Sequence, residues 1–191
     1  MNALIDISNV ILVTERLVLR PWRESDLEDL YEYSKVEGVG KMAGWCAPKR
    51  IDDSKEVLYR FIREKKTFAI ELKGKVVGSL GIEEYKEADF PEFADKRCRE
   101  IGYVISKDLW GRGLMPEAVK AVIRWLFEEI DLDAIFCGHF VWNGQSARVQ
   151  EKCGFKKYGM NKYPTDYGTV EEEEITVLTK EEWASVQKNI L

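Results

Sequence analysis

The chain of 191 residues is 45% hydrophobic and 12% aromatic, enough apolar surface to fill a substantial core, so disorder is not the default and a single domain over residues 1–191 is expected. Its 29 basic side chains face 34 acidic ones, a formal net charge of -5, which argues against a nucleic-acid binder and weakly favours a cationic partner. No segment reaches the roughly 18 continuous apolar residues of a membrane span, and Met1 to Val13 lack the basic start and apolar run of a signal peptide, so a cytoplasmic protein off the membrane is expected.

In chain order, Thr14 to Arg20 alternates, with Leu17 and Leu19 on one face and Arg16, Val18 and Arg20 on the other, as a half-buried strand does, and Pro21 stops it. Ser25-Asp26-Leu27-Glu28 has the form of a capping box, and Leu27, Leu30, Tyr31 and Ser34 follow at helical spacing, so a helix runs to about Lys35. Gly38, Gly40 and Gly44 mark a loop. Asp52-Asp53 opens a second helix whose Val57, Leu58, Phe61 and Ile62 share a face. Thr67 to Leu72 and Val76 to Ile82 read as a hairpin about Lys73-Gly74-Lys75. Tyr85 to Arg99 reads as a charged, solvated loop tacked down by Phe90, Pro91 and Phe93, and Glu100 to Ile105 as the next strand.

From Pro116 a helix places Val119, Val122, Ile123, Leu126, Phe127 and Ile130 on one side and Glu117, Lys120, Arg124 and Glu128 on the other. Ala134 to Trp142 is almost continuously apolar, as a strand buried on both faces would be, and completes a parallel crossover unit. Asn143 to Cys153 forms a short helix ended by Gly154. Phe155 to Tyr158 and Glu171 to Leu178 are late strands separated by a loop, and Thr179-Lys180-Glu181-Glu182 caps a terminal helix. The cysteines, Cys46, Cys98, Cys137 and Cys153, contain no C-x-x-C pair, so they are read as reduced and mostly buried, with no metal site.

The stretch Leu109 to Ala118 carries two glycines and a proline between the strand ending at Ile105 and the longest helix. Amides at a helix start lack internal partners and the helix dipole is positive there, so a phosphate is the natural ligand. The dinucleotide pattern G-x-G-x-x-G fails, because Pro116 holds the third glycine position, and the G-x-x-x-x-G-K-[ST] loop is absent.

Trp110-Gly111-Arg112-Gly113-Leu114-Met115, together with Asn143-Gly144-Gln145-Ser146-Ala147-Arg148-Val149-Gln150-Glu151-Lys152-Cys153-Gly154-Phe155, resembles the GNAT N-acetyltransferase superfamily, in the branch that includes ribosomal-protein alanine N-acetyltransferases. The resemblance extends to Thr14 through Arg20, Glu100-Ile101-Gly102-Tyr103 and Leu178 through Trp183. It implies an α+β (mixed α/β) fold: a central, mostly antiparallel sheet with helices on both faces, splayed after the strand ending at Ile105 to admit acetyl-coenzyme A. By the same resemblance, Tyr103 and Ile105 would offer backbone hydrogen bonds to the pantetheine arm. Trp110 through Met115, with Gly111, Arg112, Gly113 and Leu114 between, would cradle the pyrophosphate. Asn143 would sit near the reacting end, and Arg148 or Lys152 would reach phosphates. The chain departs from the superfamily at Trp110, where Gln or Arg is usual, at Met115, where Gly or Ala is frequent, and at Gln150, where many members place a tyrosine acid.

Acetylating an amine requires a neutral nitrogen, and amines with pKa values of about 8 to 10 are protonated at neutral pH, so a base is useful. Glu100 is the candidate base; the alternative is a solvated glutamate. Ser146 is a candidate partner of the departing sulfur, while Asn143 and Ser146 also read as a plain helix cap. A main-chain N–H near Val104 or Ile105 would polarise the carbonyl. His139 reads as a core histidine rather than a base, and Arg112 as either a phosphate contact or a solvated side chain. Trp45, Trp110 and Trp142 would line the acceptor side or the core. Glu171 to Glu174 reads as an exposed strand edge that would also attract a cation. The acceptor is a protein N-terminus or a small-molecule or antibiotic amine; a coenzyme A-binding module without transfer is the alternative from another class. A monomer or homodimer is expected.

Overall fold

A computed structural model describes residues 1–188. Its elements run β1 (Leu12–Val13), β2 (Leu17–Arg20), α1 (Leu27–Ser34), α2 (Ile51–Glu64), β3 (Thr67–Leu72), β4 (Lys75–Glu83), β5 (Cys98–Ile105), α3 (Leu114–Glu128), β6 (Ala134–Phe140), α4 (Gly144–Lys152), β7 (Lys156–Pro164), β8 (Val170–Thr179) and α5 (Lys180–Lys188). The strands form one sheet in the order β1-β2-β3-β4-β5-β6-β8-β7. All neighbours pair antiparallel except β5 and β6, the parallel pair joined through α3. The expected mixed α/β, mostly antiparallel sheet with helices on both faces is thus present.

Strand alternation sorts side chains onto two faces. One face carries Phe68, Ile70, Leu80, Ile82, Ile101, Ile135 and Leu178, packed against Val119, Val122, Ile123, Leu126 and Phe127 of α3. Each large aliphatic or aromatic side chain buried this way contributes about 1.5–3 kcal/mol. The opposite face packs Ala69 and Val76 against Trp22, Leu30, Tyr33 and Leu58, bringing in α1 and α2. Further along that face, Tyr85, Phe90 and Phe93 close over Phe136 and Ile175. The expected loop from Tyr85 is therefore anchored by aromatics, and it holds two short 3-10 turns.

The ladder between β5 and β6 runs from Cys98 opposite Ala134 to Ile101 opposite Cys137 and stops, although both strands continue. The splay that the resemblance implied beside the strand ending at Ile105 therefore lies between β5 and β6 and starts at Gly102 and Gly138. Nothing lies within 4 Å of where a Cβ on Gly102 would sit, and Gly138 leaves its space to the Glu173 carboxylate.

Two other expectations change. The strand after Gly154 does not stop at Tyr158; β7 continues to Pro164 and makes a long hairpin with β8. Its lysines, asparagine and glycine suit a solvated sheet edge and hide the alternation that marks a strand. Ala3, Ile5 and Ile7, left unassigned by periodicity, are buried in the main core. No helix among the described residues is long and apolar enough to cross a membrane.

Candidate active site

Where β5 and β6 part, a cleft of about 550 Å³ opens, lined by the end of β5, the turn into α3, and α4. Its first part is the passage from Ile105 to α3. Gly111 and Gly113 both have φ of +75°, a left-handed conformation that costs an L side chain roughly 1–2 kcal/mol. Nothing lies within 4 Å of where a Cβ on Gly111 would sit, so backbone faces open space. Gly113 is the N-cap of α3, and Glu117 N–H makes the first intrahelical bond, to Gly113 O at 3.4 Å. The amides of Leu114 and Met115 precede that bond and are free of the helix ladder.

The front of the chain holds this turn in place. Glu117 accepts from Thr14 Oγ1 at 2.6 Å, Arg16 N at 2.8 Å and Arg16 Nε at 2.7 Å, and Arg16 Nη1 donates to Arg112 O at 3.0 Å. Arg112 is exposed and does not line the cleft; its carbonyl serves as an anchor. Trp110 Nε1 donates to Ile105 O at 3.0 Å, so the tryptophan braces the turn and lines the cleft, whereas Trp45 and Trp142 do not line it.

Backbone direction in β5 follows from one bond. Ser106 N–H donates to Val77 O at 2.7 Å beside the pair Gly78–Ile105. By antiparallel alternation, Val104 then turns its N–H and C=O to β4, while Tyr103 and Ile105 turn theirs to the gap. A polarising N–H would therefore come from Ile105 or Tyr103, and Val104 is excluded.

On the far wall, Asn143 caps α4, its Oδ1 accepting from Ser146 N at 3.1 Å, and its Nδ2 donates to Met42 O at 3.1 Å. Ser146 Oγ lies 3.0 Å from the Tyr103 hydroxyl, a side-chain contact that local sequence does not announce. Burial raises the Tyr103 phenol well above its ordinary pKa, so it stays protonated. Gln150 is fully buried and joins the network: its Nε2 donates to Gly138 O at 3.0 Å, and its Oε1 accepts from Thr176 Oγ1 at 3.0 Å and faces His139 Nδ1 at 2.9 Å. His139 is thus a hydrogen-bonded, half-buried side chain. Arg148 and Lys152, exposed on α4, put two cations on the same wall.

Residues 16–156 match the family model for the acetyltransferase (GNAT) domain. The chain belongs to this family. It is 28% identical over 168 residues to the uncharacterized N-acetyltransferase YoaA of Bacillus subtilis, covering 83% of this chain and 90% of that protein. It is 33% identical over 92 residues to the FsC-acetyl coenzyme A-N(2)-transacetylase of Aspergillus fumigatus, covering 47% of this chain and only 39% of that protein. The [Ribosomal protein uS5]-alanine N-acetyltransferase of Escherichia coli is 24% identical over 93% of this chain and 95% of its own. Among solved structures, a GNAT-family acetyltransferase from Bacillus anthracis superposes with a TM-score of 0.77 at 24% identity, over 90% of this chain and 99% of its own.

The floor of the GNAT cleft is acidic. Glu100 is pushed up to about 7, first by burial and then by the neighbouring charges of Glu173 and Glu83. Glu83 is its cross-strand partner and pairs with Lys66 Nζ at 2.6 Å. Glu173 is 8% exposed, lines the cleft, and is itself raised by burial. The run Glu171 to Glu174 is therefore not one exposed edge. Glu171 accepts from Trp142 Nε1 at 2.9 Å and Glu174 pairs with Lys157, while alternation sends Glu173 into the cleft.

Proposed function

We propose that this GNAT protein moves an acetyl group from acetyl-coenzyme A directly to a primary amine. One observation carries the reading: a carboxyl with a pKa of about 7, Glu100, lies in the same cleft as the glycine turn at the start of α3. The turn fits the cofactor, since two left-handed glycines, first-turn amides and the cations of Arg148 and Lys152 suit a pyrophosphate. The outward backbone of Tyr103 and Ile105 suits an amide-bearing arm. When bound, acetyl-coenzyme A supplies a thioester-activated acetyl group and departs as the thiol.

The chain's own residues divide the remaining work. Glu100, ionised above neutrality, takes a proton from the acceptor ammonium. The N–H of Tyr103 or of Ile105, both aimed into the gap, polarises the acetyl carbonyl. Tyr103 orients the Ser146 hydroxyl, which hydrogen-bonds the sulfur and relays to it the second proton shed by the acceptor nitrogen. Cys137 and Cys153 are poor nucleophiles, because burial raises the first thiol well above its ordinary pKa and the second to about 12. That supports transfer without an acyl-enzyme.

The names of relatives that act on coenzyme A and on a ribosomal protein support this class of reaction and leave a protein N-terminus and a small amine as acceptors. Thiol release with a panel of amines and N-terminal peptides tests it. Glu100→Gln is expected to lower kcat by about 10²–10⁴ with coenzyme A affinity retained; turnover equal to wild type would refute Glu100 as the base. Gln150, in place of the family's tyrosine, supports a second reading, a coenzyme A-binding protein without transfer, which expects binding and no thiol release with any acceptor.

A further inference from the structure

We infer that the acceptor is an amine carrying a second cationic group, and that Glu173 holds that second group. This rests on the reading of the cleft as an acetyl-transfer site. Register places the acidic side chains. Glu83 lies opposite Glu100 across β4 and β5, and Glu100 lies opposite Phe136 across β5 and β6. Glu173 lies opposite Phe140, with its carboxylate over Gly138, in the space that an added Cβ would fill. All three project on the sheet face that carries α1 and α2, away from α3 and α4. They therefore line the side from which an acceptor approaches.

The three carboxylates are compensated unequally. Glu83 has Lys66. Glu100 exchanges a proton with the reacting nitrogen. Glu173 has no ion-pair partner among the described residues; its Oε1 accepts no hydrogen bond there, and Oε2 has only the Asn161 amide at 3.5 Å. A carboxylate this buried is costly to leave ionised without a partner.

The charge count then selects the ligand. The reacting nitrogen arrives as an ammonium, gives one proton to Glu100, and both groups become neutral. Glu173 takes no part in that exchange, so a partner that lets it ionise must keep its own charge through the reaction, as an ammonium or guanidinium elsewhere on the acceptor does. A metal ion does not fit, because among the described residues no three His, Cys, Asp or Glu side chains converge as ligands. Phe140 and Tyr163, with ring centroids 5.5 Å apart and planes inclined by 64°, stand beside Glu173 and offer aromatic surface to an alkyl chain or cation. The same chemistry is found in a free diamine and in a peptide N-terminus followed by a basic side chain.

The test compares kcat/KM for α,ω-diaminoalkanes with n-alkylamines of equal length, and for Ala-Lys amide with Ala-norleucine amide; the arm showing the preference identifies the source. The dication should be preferred by about tenfold or more in one arm. Glu173→Gln should reduce that preference to within about twofold, and Glu173→Asp should retain part of it. Acetylation of both members of each pair at equal efficiency, or a preference that persists in a folded Glu173→Gln, overturns the inference; if that variant does not fold, the wild-type comparison alone decides. Calorimetric titration of the same amines into protein saturated with coenzyme A reads the preference without turnover. Thiol release from no amine would refute the transfer reading. Diamine binding that is lost in Glu173→Gln would still support this inference, and equal or absent binding of both amine classes would overturn it.

Discussion

A single side chain, Glu100, links rate and stability with opposite signs. Its folded pKa of about 7 lies above the ordinary carboxylate range. Between those two values the unfolded chain has released the proton that the folded chain keeps, so the folded state loses stability as pH rises through that window. The stabilising contribution is complete below the unfolded value and gone once pH passes about 7. With Glu100 as the proposed base the rate runs the other way, because the base must be ionised, so kcat/KM should climb through pH 7. Glu100→Gln should remove that limb of the pH–rate profile. It should also raise thermal stability at pH 8 by on the order of 2 kcal/mol, with no gain at pH 4. Melting curves at the two pH values check this; a loss of stability at pH 8 would contradict the electrostatic account. Glu173 illustrates why such residues are hard to read from sequence. Four consecutive glutamates carry no amphipathic signature, and only the register against β6 shows that the third of them points inward.

At the scale of elements, the turn into α3 depends on two left-handed residues, and Gly113 is also the helix cap. Gly113→Val should keep the fold, because its added Cβ would meet only Arg16 Nη2, at 3.6 Å. It should weaken coenzyme A binding by about tenfold or more by distorting the amides. Titration with coenzyme A, alongside circular dichroism, measures it; unchanged affinity would remove the turn from the binding site. This turn was legible because glycine, proline and a strongly amphipathic helix punctuate it. The β3–β4 hairpin and the crossover through α3 were legible from the same kind of signal. Of the polar edge strand β7 only the start, to Tyr158, was legible, because beyond it the side chains are mostly exposed and no periodicity distinguishes the strand from a loop. The point of splaying was also hidden. It depends on where β6 stops pairing with β5, a long-range choice that Gly102 and Gly138 permit and local sequence does not encode. The Tyr103–Ser146 contact likewise joins residues 43 positions apart.

At the scale of the whole molecule, polar links join the layers. Arg20, buried in β2, donates to Asp26 at 2.8 and 2.9 Å and to Glu71 at 2.7 Å, tying the start of α1 to the sheet. Arg20→Ala should destabilise by about 3–5 kcal/mol, since it strands buried charge. Adding Asp26→Asn should cost less than the sum of the two single changes, as denaturant titration of the double-mutant cycle would show. Another link spans the cleft. Asn143 ties the cap of α4 to Met42, and Asp166 N–H, at the tip of the β7–β8 hairpin, donates to Gly44 O at 2.8 Å. The α4 wall of the proposed cofactor site and the segment around Met42 therefore share one side chain. Whatever fixes Asn143 on one side is felt on the other, so the two ligands should bind with a mutual coupling free energy. Thermodynamic reciprocity then requires that the amine tighten coenzyme A by the same factor by which coenzyme A tightens the amine. Asn143→Ser keeps a capping oxygen but cannot reach Met42. In that variant both factors should fall toward one together, and a change in only one of them would show that the two sites are not joined through this residue.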